Sequence, residues 1–392
     1  NGGQQMNYQQ GNGGQQMNYR QAPNYNYGGQ PPYYQQPYPG GQGNVPNKKK
    51  KKRKTRKIVL FVIEVLLLVI LAAALYVGAQ ISKLSQIQNV NTEEQNAIQS
   101  NISQQLDDAV EETLKGYWNI ALYGIDSREG STESGLSDTI MICSINRSTK
   151  EVKLVSVYRD TYLDNTNGDY RKATECYILG GPSRSINMLN KNFDLDIVNY
   201  VTVNMNIVAE VVDSVGGVDI DVRQEEIEWI NGYQNETSTI TNREIVPVTS
   251  AGMQTLNGIQ ATSYCRIRQI GLDYERTERQ RKVLMAILEK VKKNPTLLLS
   301  IIDDVLPYVS TNLTKTQILD LATDVASYNL TDTTGFPFEK EAITMDNDIV
   351  VPVNLAQNVA ELHQYLFGSD GYTPSATVQE ISNTIANVTG VY

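Results

Sequence analysis

The spacing of apolar residues changes repeatedly along this chain, and each change marks an element or a boundary. Ile58 to Ala79 is almost wholly apolar and long enough for a helix to cross a bilayer. Across residues 80–115 the apolar positions thin to Leu84, Ile87, Ile98, Ile102, Leu106, Val110 and Leu114, a loosely helical spacing that suits a stalk. The heptad breaks around Asn91–Gln95, which counts against a long dimeric coiled coil. From Tyr117 onward, Asn119–Tyr123, Thr139–Ile145, Val152–Tyr158, Asn199–Val203 and Val218–Val222 read as strands. Pro182–Asn192 and Ile207–Val215 read as helices, the second stopped by Gly216-Gly217. This interleaving predicts an α/β fold, a single domain over residues 116–330 with a mixed central sheet flanked by helices in α-β-α layers. A further apolar helix, Leu355–Leu366, is expected to pack onto it within an extension over 331–370. The Thr/Ser/Asn-rich residues 371–392 are expected to form a loose tail.

One stretch departs from these regular patterns. Tyr264 to Lys282 holds Arg266, Arg268, Arg276, Arg279, Arg281 and Lys282. Apolar and basic residues alternate over Tyr264–Arg268, which predicts a strand with Arg266 and Arg268 on one face. Thr277 and Gln280 fit a capping box ahead of a helix apolar at Val283, Leu284, Ile287, Leu288 and Val291. Helical phase turns Gln280 toward that apolar face. Guanidinium forks and a helix start both suit anionic oxygens, so the stretch reads as an anion site.

Charge sharpens the picture. The chain has 392 residues, 34 Lys/Arg and 43 Asp/Glu, unevenly placed. Residues 1–47 are a repetitive Gln, Asn, Gly, Pro and Tyr segment that cannot bury a core and is predicted to be disordered. Residues 48–57 are polybasic and abut the apolar span, the positive-inside pattern. The expectation is a single-pass type II protein of the cell membrane, with its start cytoplasmic and its domain extracellular. Glu64, the one charge in the span, lies near enough to the basic end to reach that interface. The remainder is strongly acidic, which excludes general nucleic-acid binding. Cys143, Cys176 and Cys265 are widely spaced and read as small core residues, with neither a disulfide framework nor a zinc site. His363 is the only histidine and is isolated, so a Ser–His or Cys–His nucleophile is not expected. Catalysis would then fall to carboxylates, arginines and a metal.

A second cluster supplies the carboxylates. Asn146-Arg147-Ser148-Thr149-Lys150 would close a hairpin, placing Asp138 beside Arg159. Asp126 follows the Asn119–Tyr123 strand; if that strand neighbours Thr139–Ile145, Asp126 and Asp138 share one sheet rim. Two such carboxylates suit Mg²⁺ completed by substrate phosphates. The alternative is that Asp126 caps a turn and Asp138 only pairs with Arg159.

These blocks resemble the LytR-CpsA-Psr family of cell-envelope proteins. The resemblance is carried by Asn119 to Arg128, Ser137-Asp138-Thr139-Ile140-Met141, Val155 to Tyr162, Gly180-Gly181-Pro182, Val215 to Val222, Leu256 to Ala261, Tyr264 to Arg268 and Arg276 to Val283. It implies a phosphotransferase that moves an anionic glycopolymer, teichoic acid or capsular polysaccharide, from a polyprenyl-diphosphate carrier to peptidoglycan. It implies Mg²⁺ on Asp126 and Asp138, and diphosphate binding by Arg159, Arg266, Arg268, Arg276 and Gln280, with Lys172 as a further basic contact. Three positions depart from the family pattern: Leu136 stands for an arginine, Tyr158 for a proline and Glu275 for a glycine. Two rival readings are a non-catalytic binder of the lipid diphosphate or of wall glycan, and a polyprenyl-diphosphate pyrophosphatase. A transcriptional regulator lacks support, since the basic run abuts a membrane span.

Overall fold

Asn146 turns the chain where the hairpin was expected. Its Oδ1 accepts the backbone N–H groups of Ser148 and Thr149, both at 2.9 Å, and Lys150 takes the left-handed conformation at φ 61°. The two strands joined by this turn are antiparallel neighbours in the central sheet. In a computed structural model, the protein is described over residues 95–96, 98–99, 102, 106, 108–126, 132, 135–166 and 168–392. The expected tail over 1–47, basic run over 48–57 and apolar span over 58–79 lie outside the described residues. No helix among the described residues is long and apolar enough to cross a membrane.

The elements run α1 (Asp108–Leu114), β1 (Tyr117–Ile125), β2 (Ser137–Asn146), β3 (Glu151–Val157), β4 (Tyr162–Asp164), β5 (Tyr170–Lys172), α2 (Glu175–Phe193), β6 (Asn199–Asn204), α3 (Met205–Ser214), β7 (Val218–Val222) and α4 (Glu226–Thr241). They continue β8 (Gly252–Leu256), α5 (Gly258–Tyr264), α6 (Leu272–Lys293), α7 (Leu297–Asp304), β9 (Ser310–Thr311), α8 (Lys315–Asp324), β10 (Asn329–Phe336), β11 (Lys340–Thr344), β12 (Asp348–Pro352), α9 (Leu355–Phe367) and α10 (Ala376–Thr389). The central sheet has six strands in the order β10-β3-β2-β1-β6-β9. It is mixed: β1 runs parallel to β6 and β10 parallel to β3, while the other pairs are antiparallel.

Strand alternation divides the residues between two faces. Ala121, Tyr123 and Ile125 of β1 join Ile140, Ile142, Val155 and Val157 in a core closed by α2, α9 and α10. Ile120 and Leu122 face the other way, with Ile145, Val152 and Val201. A further core gathers β7, β8, α4, α5 and α6 around Val218, Ile230, Leu256, Ile267 and Val283. The α/β expectation is met, with strand boundaries within a few residues of those predicted.

Four expectations change. Tyr264–Arg268 is not a strand: Tyr264 ends α5, and the arginines follow in a turn. Thr277 and Gln280 form no capping box. The helix starts earlier, at Leu272 behind Gly271, so Thr277 lies within it and donates to Tyr274 O. A capping box does occur at Asn257 and Gln260, starting α5. Residues 371–392 are not loose, because Val378, Ile381 and Ile385 of α10 bury themselves in the main core. Nor do the later apolar residues of the expected stalk stand free; Ile98, Ile102, Val110 and Leu114 are buried in that same core.

The extension is equally built in. β10 forms the sheet edge beside β3, and His363 of α9 is buried, stacked 3.8 Å from the Tyr372 ring and hydrogen-bonded to Phe193 O. Burial holds its pKa below the ordinary imidazole value, against the opposing pull of the Phe193 carbonyl. The unfolded chain therefore takes the proton first as pH falls. Stability is complete above about pH 6.5 and declines below it. Thermal melts from pH 7.5 to 5 are expected to show this decline, and His363→Gln to flatten it. A second expectation concerns Gly258, where α5 meets α3. Its N–H donates to Asp213 Oδ1 at 2.7 Å, and a Cβ there would lie 2.3 Å from Ala209 O. Gly258→Ala should cost about 1–3 kcal/mol in urea unfolding.

Candidate functional site

The antiparallel β2–β3 register aligns Ile140 with Val157, and two residues further along it brings Asp138 to Arg159. Arg159 Nη1 donates to Asp138 Oδ1. On the other side of Asp138, Ile125 pairs with Ser137, and the Asp126 N–H donates to Leu136 O at 3.3 Å. Both aspartates thus stand at one rim of the sheet, as the strand reading required. Asp126 is exposed.

The second half of the site arrives from the turn between α5 and α6. Arg268 Nη2 lies 3.1 Å from Asp138 Oδ2, across 130 residues of chain. Arg276, one turn into α6, donates from Nη2 to Asp138 O at 2.9 Å and places Nη1 3.6 Å from Oδ2. One carboxylate therefore gathers three guanidiniums. Arg276 is almost wholly buried, and burial lowers its pKa. Its other partner is Asp273, at 2.6 Å. Burial raises the Asp273 pKa, with Arg276 opposing and Asp160 reinforcing.

Arg266 stands beside this cluster and does not join the Asp138 contacts. It is held by α4: Glu236 at 2.7 Å, Thr237 Oγ1 at 3.1 Å and the Tyr233 ring at 5.2 Å. Gln280 donates to Cys265 O at 3.4 Å, while its Oε1 is buried without a hydrogen bond. Lys172 does not line the cavity. It lies 3.0 Å from Asp160 Oδ1, and Asp160 in turn lies 3.5 Å from Arg159 Nε.

The charged cluster lines a cavity of about 700 Å³. Asp126, Leu136, Asp138, Arg159, Arg266, Arg268 and Arg276 line one end. Leu122, Met141, Val201, Val203, Leu284 and Ile287 line the rest, between a sheet face and α6. Gly180 and Gly181 break α2 there, Gly181 at φ 66°, and Ile178 before the break reaches the cavity wall. The apolar lining escaped sequence reading because it comes from single residues on several elements. Asp273 was missed too, although its three-residue spacing from Arg276 was a usable signal.

Burial pushes Cys143, Cys176 and Cys265 up to about 12, so all stay protonated at neutral pH. Among the described residues no group of three or more His, Cys, Asp or Glu could enclose a metal. Asp126 and Asp138, the pair expected to hold Mg²⁺, are hard oxygen donors at one rim, and the Asp138 oxygens already accept Arg159 and Arg268.

Residues 77–364 match the model of the LytR_cpsA_psr family. The chain belongs to this family. The polyisoprenyl-teichoic acid–peptidoglycan teichoic acid transferase TagU of Enterococcus faecalis is 33% identical over 178 residues, 44% of this chain and 54% of the relative. TagT of Bacillus subtilis, which carries the same transferase name, is 26% identical over 239 residues, 58% of this chain and 71% of the relative. The chain thus spans about half the length of the Enterococcus protein. The crystal structure of Bacillus subtilis TagT superposes with a TM-score of 0.52 at 22% identity, covering 67% of this chain and 94% of TagT. Protein gbs0355 of Streptococcus agalactiae gives 0.56 at 22% identity, covering 70% and 95%. At such identities the likeness establishes a LytR-CpsA-Psr fold.

Within that fold the departures acquire physical roles. Leu136 lines the cavity beside Asp126, apolar where the family pattern has a cation. Tyr158 is buried edge-on against Tyr274, ring centroids 4.7 Å apart. Glu275 pairs with Arg223 and, at 2.8 Å, with Arg279. Because the Gln280 carbonyl oxygen is buried without a partner, its removal costs little. Gln280→Leu is expected to stay within about 1 kcal/mol of the parent in denaturant unfolding.

Proposed function

We propose that this protein is a glycopolymer–peptidoglycan phosphotransferase acting on a polyprenyl-diphosphate donor. One observation carries the reading: a guanidinium cluster and a set of apolar side chains line one cavity. A ligand matching both halves has a compact anionic head and a hydrocarbon tail. The names of the TagU and TagT relatives, which specify polyisoprenyl-teichoic acid and peptidoglycan, supply the donor and acceptor classes. Teichoic acid is accordingly favoured over capsular polysaccharide.

Phosphoryl transfer asks the protein mainly to position the diphosphate and offset its charge. Arg159, Arg268 and Arg276 already converge on Asp138, so their forks are aimed before substrate arrives. Arg266, held to α4 by Glu236, extends the cationic wall. The acceptor hydroxyl would attack the phosphorus nearest the polymer sugar and release its proton to solvent. The bond to the polyprenyl phosphate breaks, and that leaving group keeps its charge against the arginines. Asp126 and Asp138 would hold Mg²⁺, which would offset further charge on the diphosphate oxygens. A membrane anchor through residues 58–79, with the domain outside, would place the cavity where such lipids reside.

A pyrophosphatase would use the same wall with water as acceptor, so product analysis separates the two. The full chain, given a polyprenyl-diphosphate sugar, Mg²⁺ and peptidoglycan oligomers, should yield a phosphodiester-linked product by mass spectrometry. Phosphate release without transfer would favour hydrolysis, and lipid binding without turnover would favour a non-catalytic binder. Asp138→Ala should abolish the Mg²⁺ dependence of turnover. Arg266→Ala should weaken donor binding by about 1.5–3 kcal/mol in calorimetry.

A further inference from the structure

Arg279 is the largest fully buried side chain among the described residues, and it does not line the cavity. Its donors are spent inside the protein. Nε donates to Glu226 Oε1 at 2.8 Å, and Nη2 to Glu275 Oε2 at 2.8 Å. Nη1 donates to Ile267 O at 3.1 Å, and both terminal nitrogens reach Ile270 O at 3.2 Å. Those two carbonyls bracket Arg268, the residue that crosses to Asp138.

The counter-ion is set with similar care. Glu226 is the first residue of α4, and its side chain is 2% exposed. Its Oε2 accepts the Arg223 N–H at 2.9 Å, and its Oε1 accepts both Arg279 Nε at 2.8 Å and Arg223 Nη2 at 3.1 Å. Burial pushes the Glu226 pKa up, but the hydrogen bonds from Arg279 and Arg223 outweigh it and leave the group ionised. An ion pair this deep contributes little net stability against an apolar replacement. What a planar fork does supply is direction: five donors in one plane fix two carbonyls relative to two carboxylates.

We infer that Arg279 is a positioning residue of the anion site, acting through the 267–270 turn to set where Arg268 stands. The other ties of the turn are the Gln269 side chain with Tyr233 Oη of α4, at 3.1–3.2 Å, the Ile267 N–H on Tyr264 O at 3.4 Å, and the buried Ile267 side chain. Arg268 is exposed, its backbone N–H meets only the Gln269 side chain at 3.2 Å, and Gly271 closes the segment at φ 72°. α4 holds Arg266 through Glu236 and Thr237, and through Glu226 and Arg279 it also holds the turn beyond. One helix thereby fixes the spacing of both arginines.

The inference rests on the diphosphate reading of the site, and two probes keep them separable. Calorimetry on the full chain would use inorganic pyrophosphate and geranyl diphosphate with Arg279→Lys, Arg268→Ala and the double variant. Lysine keeps the charge but cannot hold two carbonyls and two carboxylates. Arg279→Lys is expected to weaken pyrophosphate binding about tenfold, the loss of one charged hydrogen bond. In the Arg268→Ala background it should add no more than about twofold, because the residue it positions is gone. Losses that multiply in the double variant, or unchanged binding by Arg279→Lys alone, would overturn the inference. If near-ultraviolet circular dichroism shows Arg279→Lys unfolded, Glu226→Gln enters the same cycle under the same criterion. Pyrophosphate binding without tighter geranyl diphosphate binding would sink the lipid reading while the cycle still decides the role of Arg279. Binding of neither probe overturns both.

Discussion

Like charges held together in a partly dry site repel strongly, and the Asp138 carboxylate is what makes this arrangement tolerable. It accepts Arg159 from the end of its own hairpin and Arg268 and Arg276 from the α5–α6 region. Asp273 beside Arg276 and Asp160 beside Arg159 offset part of that repulsion, and Asp138 is the one carboxylate that all three share. The contact therefore stabilises the fold and sets the site at once. An anion entering the cavity would meet cations already collected and would compete with one carboxylate for them. That competition keeps an empty site from being a bare positive cavity.

The cavity follows from how the strands are ordered. β1 lies between an antiparallel neighbour and a parallel one, so the sheet can present charged residues at its rim and apolar ones on its face. α6 lies over that face with the cationic residues in its early turns and Val283, Leu284 and Ile287 further along. The same helix lines the charged and the apolar parts of the cavity. Its N-terminal start at Leu272, behind the left-handed Gly271, decides which residues do which.

Much of this was legible in the residues. The β2–β3 hairpin, the meeting of Asp138 with Arg159, and the rim position of Asp126 all follow from strand period and turn chemistry. The errors share a physical origin. Alternation over Tyr264–Arg268 imitated a strand because α5 ends there and the following turn exposes Arg268 while burying Ile267. The Thr277–Gln280 spacing imitated a helix start because Thr277 bonds back to a carbonyl within the helix, as hydroxyls do in helix interiors. The polar composition after residue 370 hid a helix with only one apolar face. No local pattern reveals the groove lining or the Glu226–Arg279 pair, since their partners are separated widely in sequence.

The place of β10 has a consequence for how the protein comes into being. β3 is an edge until residues 329–336 add to it, and the core beneath the sheet is incomplete until α9 and α10 arrive. The hairpin carrying Asp138 and Arg159 therefore depends for its pairing and packing on residues 329–389, and a chain that has not yet made them would leave β3 unpaired and the apolar face of α2 exposed.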